Sequence, residues 1–502
     1  MLMNKFSRTI TSKLNQKYCG AIAKTFSRNF SLAFTDIDGI VEQQLRKTDW
    51  RNFLFIYGFD GSKYEGSTYT GGMKTVEGGL LDAFVKSGLL KKENIGESKL
   101  ELSRTSRVDK HVSALSCVLR ARMPIKYSPE KIAQMIEPFL PDDIFLHEIQ
   151  KTDNRGDIKE QVEKRLYYYY LPTFCLFSPD QHKQMQNLDL APILNPAKEL
   201  FDQKLNRHVT KQTLIEIMNR EEHQSIFNQL YQTKIDNLKN EIIQNFNETL
   251  QPLYINEGKW YHNFISQKHA GAYRNKQVAF QSNFRKIDKF EIDQLITLPH
   301  SINPNLDVQP IQFVRFNIEG QSFGLQQIRN MIASVMEIYS AQGSLELLQQ
   351  SFDKKNVKKF IKAPSQGIML REAVFQKIQR KQSTEFQAIQ ASNEQFQKEV
   401  VQEKHEDYTQ IQYSDLTYDK MNELQSHLEN QIHSQEFNHK EFTFHYMQQL
   451  AQVDRTQALS KNVYLNEDQF KKLKDYKKFG YLKKNEKLNV IKTDQNQIQD
   501  AK

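Results

Sequence analysis

Cysteine is scarce: Cys19, Cys117 and Cys175 are all that 502 residues contain. Three thiols so far apart form neither a disulfide framework nor a zinc-ligand spacing, and they point to a reducing compartment. No metal site is expected. Long apolar runs are missing too. None approaches the roughly 18–20 residues of a membrane-crossing helix, so no membrane partner is expected. Acidic residues are absent before Asp36, where Lys5, Arg8, Lys13, Lys17, Lys24 and Arg28 are interspersed with Ser, Thr, Phe and Leu. Residues 1–35 therefore read as an amphipathic organelle-targeting peptide, with a disordered basic arm as the alternative. Its apolar stretches are too short and interrupted for a secretory signal. Arg28-Asn29-Phe30-Ser31 resembles a mitochondrial processing site, which makes the mitochondrial matrix the expected location.

What is present is a globular chain with polar extensions. Hydrophobic residues make up 38% and charged residues 26%, enough to bury a core in two or three lobes. The net charge of +9 favours a polyanionic partner, nucleic acid ahead of an anionic membrane.

Along the chain, "RNFLFIYGFDG" (Arg51 to Gly61) reads as a strand running into a Gly-x-Asp-Gly turn. Thr75 can cap a helix carrying Val76, Leu80 and Phe84 on one face, with Glu77 suited to its first turn. Ser128-Pro129-Glu130 opens another, with Ile132, Met135, Ile136 and Phe139 as its expected buried stripe. "LYYYYL" (Leu166 to Leu171) is a strand by residue type, stopped at Pro172. Residues 176–255 are rich in Gln, Asn and Lys, with apolar residues at helical intervals, and read as a helical insert or linker. Then "IQFVRFNIEG" (Ile311 to Gly320) and the apolar face of Leu325, Ile328, Met331, Ile332 and Val335 repeat the strand-turn-helix pattern. Two similar α/β lobes, at 51–175 and 256–375, account for the repetition. Residues 376–502 turn to Gln, Lys and Glu, a polar helical or partly disordered extension.

One stretch stands out chemically. In "SRTSRVDKHVSA" (Ser103 to Ala114), Arg104, Arg107 and Lys110 crowd a single carboxylate, Asp109, just ahead of the strand-like "LSCVLRAR" (Leu115 to Arg122). A solvated turn explains that pattern, and so does a catalytic aspartate held ionised by arginine.

The order of the pieces distinguishes the two. "GFDGSKYEG" (Gly58 to Gly66), "TVEGGLLDAF" (Thr75 to Phe84), "RVDKHVSAL" (Arg107 to Leu115), "RLYYYYLPTF" (Arg165 to Phe174), "YHNFIS" (Tyr261 to Ser266), "GQSFGLQQIRNMI" (Gly320 to Ile332) and "APSQGIMLREAVF" (Ala363 to Phe375) follow one another. Together they resemble the TruA-type tRNA pseudouridine synthases, in the Leu-Pro-Thr-Phe form of the eukaryotic branch. The resemblance implies two related α/β lobes sharing a mainly antiparallel sheet, with flanking helices and a central basic cleft. It also implies the isomerisation of uridine to pseudouridine in tRNA, without metal or organic cofactor, by a monomer or homodimer. Asp109 falls in the place of the essential aspartate, and Arg107 is placed to hold the displaced nucleotide. Tyr167 takes the position of the aromatic residue against the uracil, and Arg329 that of the arginine paired with the aspartate. Leu370, in the closing block, is a substrate contact by the same resemblance. His262 is read as structural, and His111 as no metal ligand.

Two departures touch the aspartate. Val108 replaces the family threonine, and His111 replaces a glycine two residues after Asp109. The Phe-x-Ala/Ser-Arg/Lys segment expected before Arg165 has no counterpart. These departures keep a second reading open, a non-catalytic RNA-binding or ribosome-assembly paralogue. Near the C-terminus, "KKLKDYKKFGYLKKNEK" (Lys471 to Lys487) interleaves eight lysines with Tyr476, Phe479 and Tyr481. It is either a solvated end or an added RNA contact.

Overall fold

The computed structural model describes residues 50–95, 100–124, 127–153, 156–203, 211–255, 257–266, 283–299, 309–356, 358, 360–375 and 411–459. The expected targeting segment and the basic tail lie outside these residues.

The sequence's first apolar run forms β1 (Trp50–Phe59), covered on both faces from Asn52 onward. Helix α1 (Val76–Lys86) starts where expected, because the Thr75 hydroxyl accepts from the Gly78 amide at 3.2 Å. It buries Val76, Leu80, Leu81 and Phe84, with the Phe84 ring 4.9 Å from Phe55 of β1. After β2 (Ser103–Arg104) and β3 (Ser113–Pro124) comes α2 (Pro129–Ile136), capped by Ser128. Ile132 and Ile136 are buried as expected, but Phe139 is 42% exposed. The helix stops at Ile136 and a 3-10 turn containing Pro138 follows, so Phe139 leaves the buried stripe.

The remaining strands are β4 (Ile144–Thr152), β5 (Val162–Pro172), the short β6 (Lys259–Trp260) and β7 (Phe284–Arg285), β8 (Ile287–Leu298), β9 (Ile311–Gly320) and β10 (Ile368–Phe375). The main sheet is eight-stranded, in the order β4-β1-β3-β10-β5-β9-β8 with β2 beside β3. Every pairing in it is antiparallel except β10 with β3. That one parallel seam joins the two halves: β10 pairs Met369 with Ser113 on one side and Leu370 with Tyr167 on the other. The fold is thus the mixed α/β arrangement expected, one mainly antiparallel sheet with flanking helices.

The four tyrosines of β5 do alternate, yet all four are buried. The strand is covered on both faces by residues far away in the chain. Tyr169 meets Phe442 edge-on at 6.4 Å and donates to the Pro364 carbonyl, while Tyr170 donates to Glu429 at 2.6 Å.

The insert is helical: α3 (Pro179–Gln186), α4 (Ala191–Gln203), α5 (Lys211–Met218), α6 (Glu221–Tyr231), α7 (Lys239–Asn245), a π-turn at Phe246–Leu250 and α8 (Gln251–Tyr254). It joins the main core through Phe227, Leu230, Phe246, Leu250 and Tyr254. Helix α9 (Gln327–Ser340) then buries Ile328, Met331, Ile332, Val335 and Met336, and α10 (Leu345–Gln350) follows. In the C-terminal extension, α11 (Asp415–His439) and α12 (Glu441–Leu459) form a tight hairpin turning at Lys440, whose φ is 49°. Helix α11 packs Met421, Leu424, Leu428 and Ile432 into the core, and α12 packs Phe442, Tyr446, Met447 and Leu450. Glu436 ties the turn by accepting from the Phe442 and Thr443 amides and the Tyr231 hydroxyl; burial pushes its carboxyl up to about 7.

Candidate active site

Asp109 sits in the turn between β2 and β3, half-buried, and that turn is held from several sides. The Val108 amide donates to Ser67 Oγ at 2.8 Å, and the Ser67 amide donates back to the Val108 carbonyl at 3.0 Å. The Gly61 amide donates to Ser113 Oγ at 3.0 Å, so the Gly-x-Asp-Gly turn after β1 packs directly beneath the aspartate turn. A Cβ at Gly61 would lie 1.9 Å from the Val112 carbonyl oxygen, an approach that only glycine permits.

His111 adopts the left-handed backbone that a glycine would, with φ 61°. Its amide donates to the Tyr64 carbonyl, and its Nδ1 lies 2.8 Å from the Ser62 carbonyl oxygen. The bulky replacement is thereby accommodated without unfolding the turn. Val108 is buried, and its amide and carbonyl both hold Ser67.

Around Asp109 lies a cleft of about 360 Å³, lined by Arg107, Val108, Val112, Tyr167, Gln326 and Ile368 among others. The Gln326 amide, at the start of α9 and with φ 61°, donates to Asp109 Oδ2 at 3.3 Å. Tyr167 reaches the cleft from β5 with its ring edge-on to Phe323 at 5.2 Å. Burial pushes the Tyr167 hydroxyl well above its ordinary value, against the opposing charge of Arg165. Arg107 is exposed at the rim.

Arg329 is half-buried on α9, where Nε donates to the Ala363 carbonyl. Burial lowers its pKa, while Tyr169, Asp109 and Glu441 favour its charge. Helix α12 thus brings Glu441 and His445 near the guanidinium; burial and the Arg329 charge push His445 down to about 3. Leu370 is fully buried in the seam beside Tyr167, and the β10 side chain that lines the cleft is Ile368. His262 is fully buried with Nε2 2.7 Å from the Asn356 carbonyl oxygen, a structural position.

The basic crowd in the sequence disperses in space. Arg104 pairs with the buried Glu77, whose second oxygen accepts from the Tyr69 amide at 2.7 Å, and Lys110 pairs with Glu65 at 2.7 Å. Neither cation is committed to Asp109. Their partners come from the other motif blocks, and sequence proximity cannot reveal that.

Three contributors were not singled out by residue type. Arg165 is 9% exposed and donates to Ser106 Oγ, the Thr105 carbonyl and the Gln321 carbonyl, bracing the segment that leads into the aspartate turn. Its place in the Arg-x-Tyr block was the available signal. Phe323 was legible only as part of the Gly-x-Ser-Phe block. Gln326 acts through its backbone, which residue type does not signal. Among the described residues no group of three or more His, Cys, Asp or Glu could hold a metal ion, and no helix is long and apolar enough to cross a membrane.

A family profile described as tRNA pseudouridine synthase matches residues 261–376, from the Tyr-His-Asn-Phe block to just past β10. The chain is similar to tRNA pseudouridine synthase 1 of Kluyveromyces lactis, 26% identical over 369 residues, covering 68% of this chain and 63% of that protein. It is 24% identical over 359 residues to tRNA pseudouridine synthase 1 of Yarrowia lipolytica, covering 67% and 66%. With the protein of that name from Saccharomyces cerevisiae it shares 25% identity over 345 residues, 65% of this chain and 61% of the other. The chain spans less than two thirds of these relatives' own length. Sequence blocks, sheet and relatives agree in their likeness to the tRNA pseudouridine synthases.

Proposed function

We propose that this protein isomerises uridine to pseudouridine in tRNA, with Asp109 as the essential carboxylate. The observation that carries the reading is Asp109 itself, set in a cleft with an aromatic wall, an arginine behind it and an arginine at the rim. The reaction breaks the N1–C1′ bond, turns the uracil and forms a C5–C1′ bond; C5 loses its proton and N1 gains one. Composition is unchanged, so the chemistry calls for no oxidant, reductant or second substrate. Unstacking the uridine costs a few kcal/mol, which contacts in the pocket offset. Tyr167 presents a ring for the uracil, and Arg107 takes the phosphate of the displaced nucleotide. Asp109 acts at the sugar or on the base while the bond is exchanged. Arg329 and the Gln326 amide orient it, and Leu370 supports the floor under Tyr167.

The test is tritium release from tRNA labelled at uridine C5, with filter binding on the same RNA. Release that follows protein concentration supports the reading. Tight binding with no release from any total tRNA pool overturns it and leaves an RNA-binding protein.

The site of action in this proposal is the mitochondrial matrix, on the strength of the basic, acid-free start of the chain. Residues 1–35 fused to a fluorescent reporter are expected to direct it to mitochondria. A cytosolic or nuclear reporter would remove the location while leaving the activity intact.

A further inference from the structure

Beyond the Tyr167–Phe323 pair lies a second cavity, of about 870 Å³, more than twice the volume around Asp109. Arg107, Tyr167 and Phe323 line both, so the two rings stand as a partition between adjoining spaces. Cations dominate the second one: Arg104, Arg107, Arg120, Lys159, Arg165 and Arg285 line it.

How these arginines are satisfied is the informative part. Arg104 has a carboxylate, Glu77. Arg165, 9% exposed, gives all three of its hydrogen bonds to neutral oxygens, two carbonyls and a hydroxyl. Arg285 donates from Nη1 to the neutral Ser322 Oγ at 2.6 Å, and its buried Nε has no hydrogen-bond partner among the described residues. Burial pulls both guanidinium pKa values down. Of the two acids on the wall, Glu101 pairs with Arg122 and Asp157 accepts from Ser103 Oγ and the Lys159 amide; both lend their charge to Arg120, and neither acts on Arg165 or Arg285. Buried charge is expensive unless it is compensated, and removing cations from water without a carboxylate makes sense when a ligand brings the anion. A planar guanidinium suits a phosphate in particular.

We infer that the second cavity is a subsite for the nucleotide next to the target uridine, with the intervening phosphate held by Arg285 and Arg107 at the aromatic partition. The inference rests on the RNA-modifying reading of the Asp109 cleft and deepens it. Two adjacent nucleotides leave the stack, one on each side of the Tyr167–Phe323 pair, and the larger space selects the neighbour by shape.

The experiment first maps the modified uridine in a tRNA. That tRNA is then rebuilt with a single uncharged methylphosphonate at the phosphate on either side of the target. Wild-type protein is expected to lose about 10- to 100-fold in kcat/KM when one of those two phosphates is neutral. Arg285→Gln is expected to lose the same on native RNA and no more on the neutralised one, because both changes remove one contact. Arg285→Lys should recover part of the loss, which separates charge from folding. Losses that multiply, or indifference to both methylphosphonates, overturn the inference. Binding gives a readout independent of catalysis: Arg285→Gln should flatten the slope of log affinity against log salt by roughly 0.7 to 0.9. An absence of pseudouridine in the wild-type reaction would count against the proposed activity alone, and an unchanged salt slope against the subsite alone.

Discussion

Asp109→Asn is expected to lower pseudouridine formation at least ~10³-fold while RNA affinity stays within about threefold, since the loss of one acid-base or electrostatic group at the reacting centre is of that order. The amide is nearly isosteric with the carboxylate and still offers an oxygen to the Gln326 amide, so the turn keeps its shape. What disappears is the negative charge and the ability to act as a base or nucleophile. The Asp109 charge also supports Arg329, a half-buried residue whose guanidinium Tyr169 and Glu441 support as well. The substitution therefore removes chemistry without emptying the site. Tritium release together with filter binding checks it: a fall in kcat with unchanged affinity marks an interaction made in the transition state. Activity within tenfold of wild type would mean that the essential carboxylate lies elsewhere.

Gly61→Ala is the second large effect. The added methyl would stand 1.9 Å from the Val112 carbonyl oxygen, 2.4 Å from its carbon and 3.0 Å from the Ser113 nitrogen. All three are backbone atoms, so no rotamer change relieves the overlap and the β1 turn must part from the aspartate turn. A displacement of about 1 Å at a reacting group costs on the order of 10²-fold in rate. Overpacking of this kind destabilises by about 3 kcal/mol. Gly71→Ala, where a Cβ would meet nothing within 4 Å, serves as the control and should leave both melting temperature and rate unchanged. Thermal melts and tritium release on the two variants measure the contrast. Equal behaviour of Gly61→Ala and Gly71→Ala would show that the two turns do not need their close packing.

The sequence by itself determined whatever depends on neighbours along the chain. Thr75 and Ser128 announce helix starts because a hydroxyl satisfies amides within three residues. The strands at Trp50–Phe59, Val162–Pro172 and Ile311–Gly320 follow from apolar and aromatic runs bounded by turn residues. Asp109, Arg107, Tyr167 and Arg329 were nameable because the order of the blocks carries the family resemblance.

The tertiary structure decided everything that depends on a partner from another block. Arg104 and Lys110 crowd Asp109 along the chain, and the fold pairs them with Glu77 and Glu65. A charge pairs with what folding brings within reach, and side chains one to five residues away on an irregular turn need not point the same way. His111 reads as an obstruction until its backbone is seen in the left-handed region, supported by Ser62 and Tyr64. Alternation sends Tyr167 and Tyr169 to one face of β5 and Tyr168 and Tyr170 to the other, and α11 and α12 supply partners to both. The polar, low-aliphatic composition after Phe375 allows a helical extension but hides that α11 and α12 pack into the core, since their few apolar residues are spent on a surface that other strands provide. The cation-lined second cavity is equally invisible in one dimension. Arg120, Lys159, Arg165 and Arg285 belong to four separate segments, and only the closing of the sheet gathers them around one space.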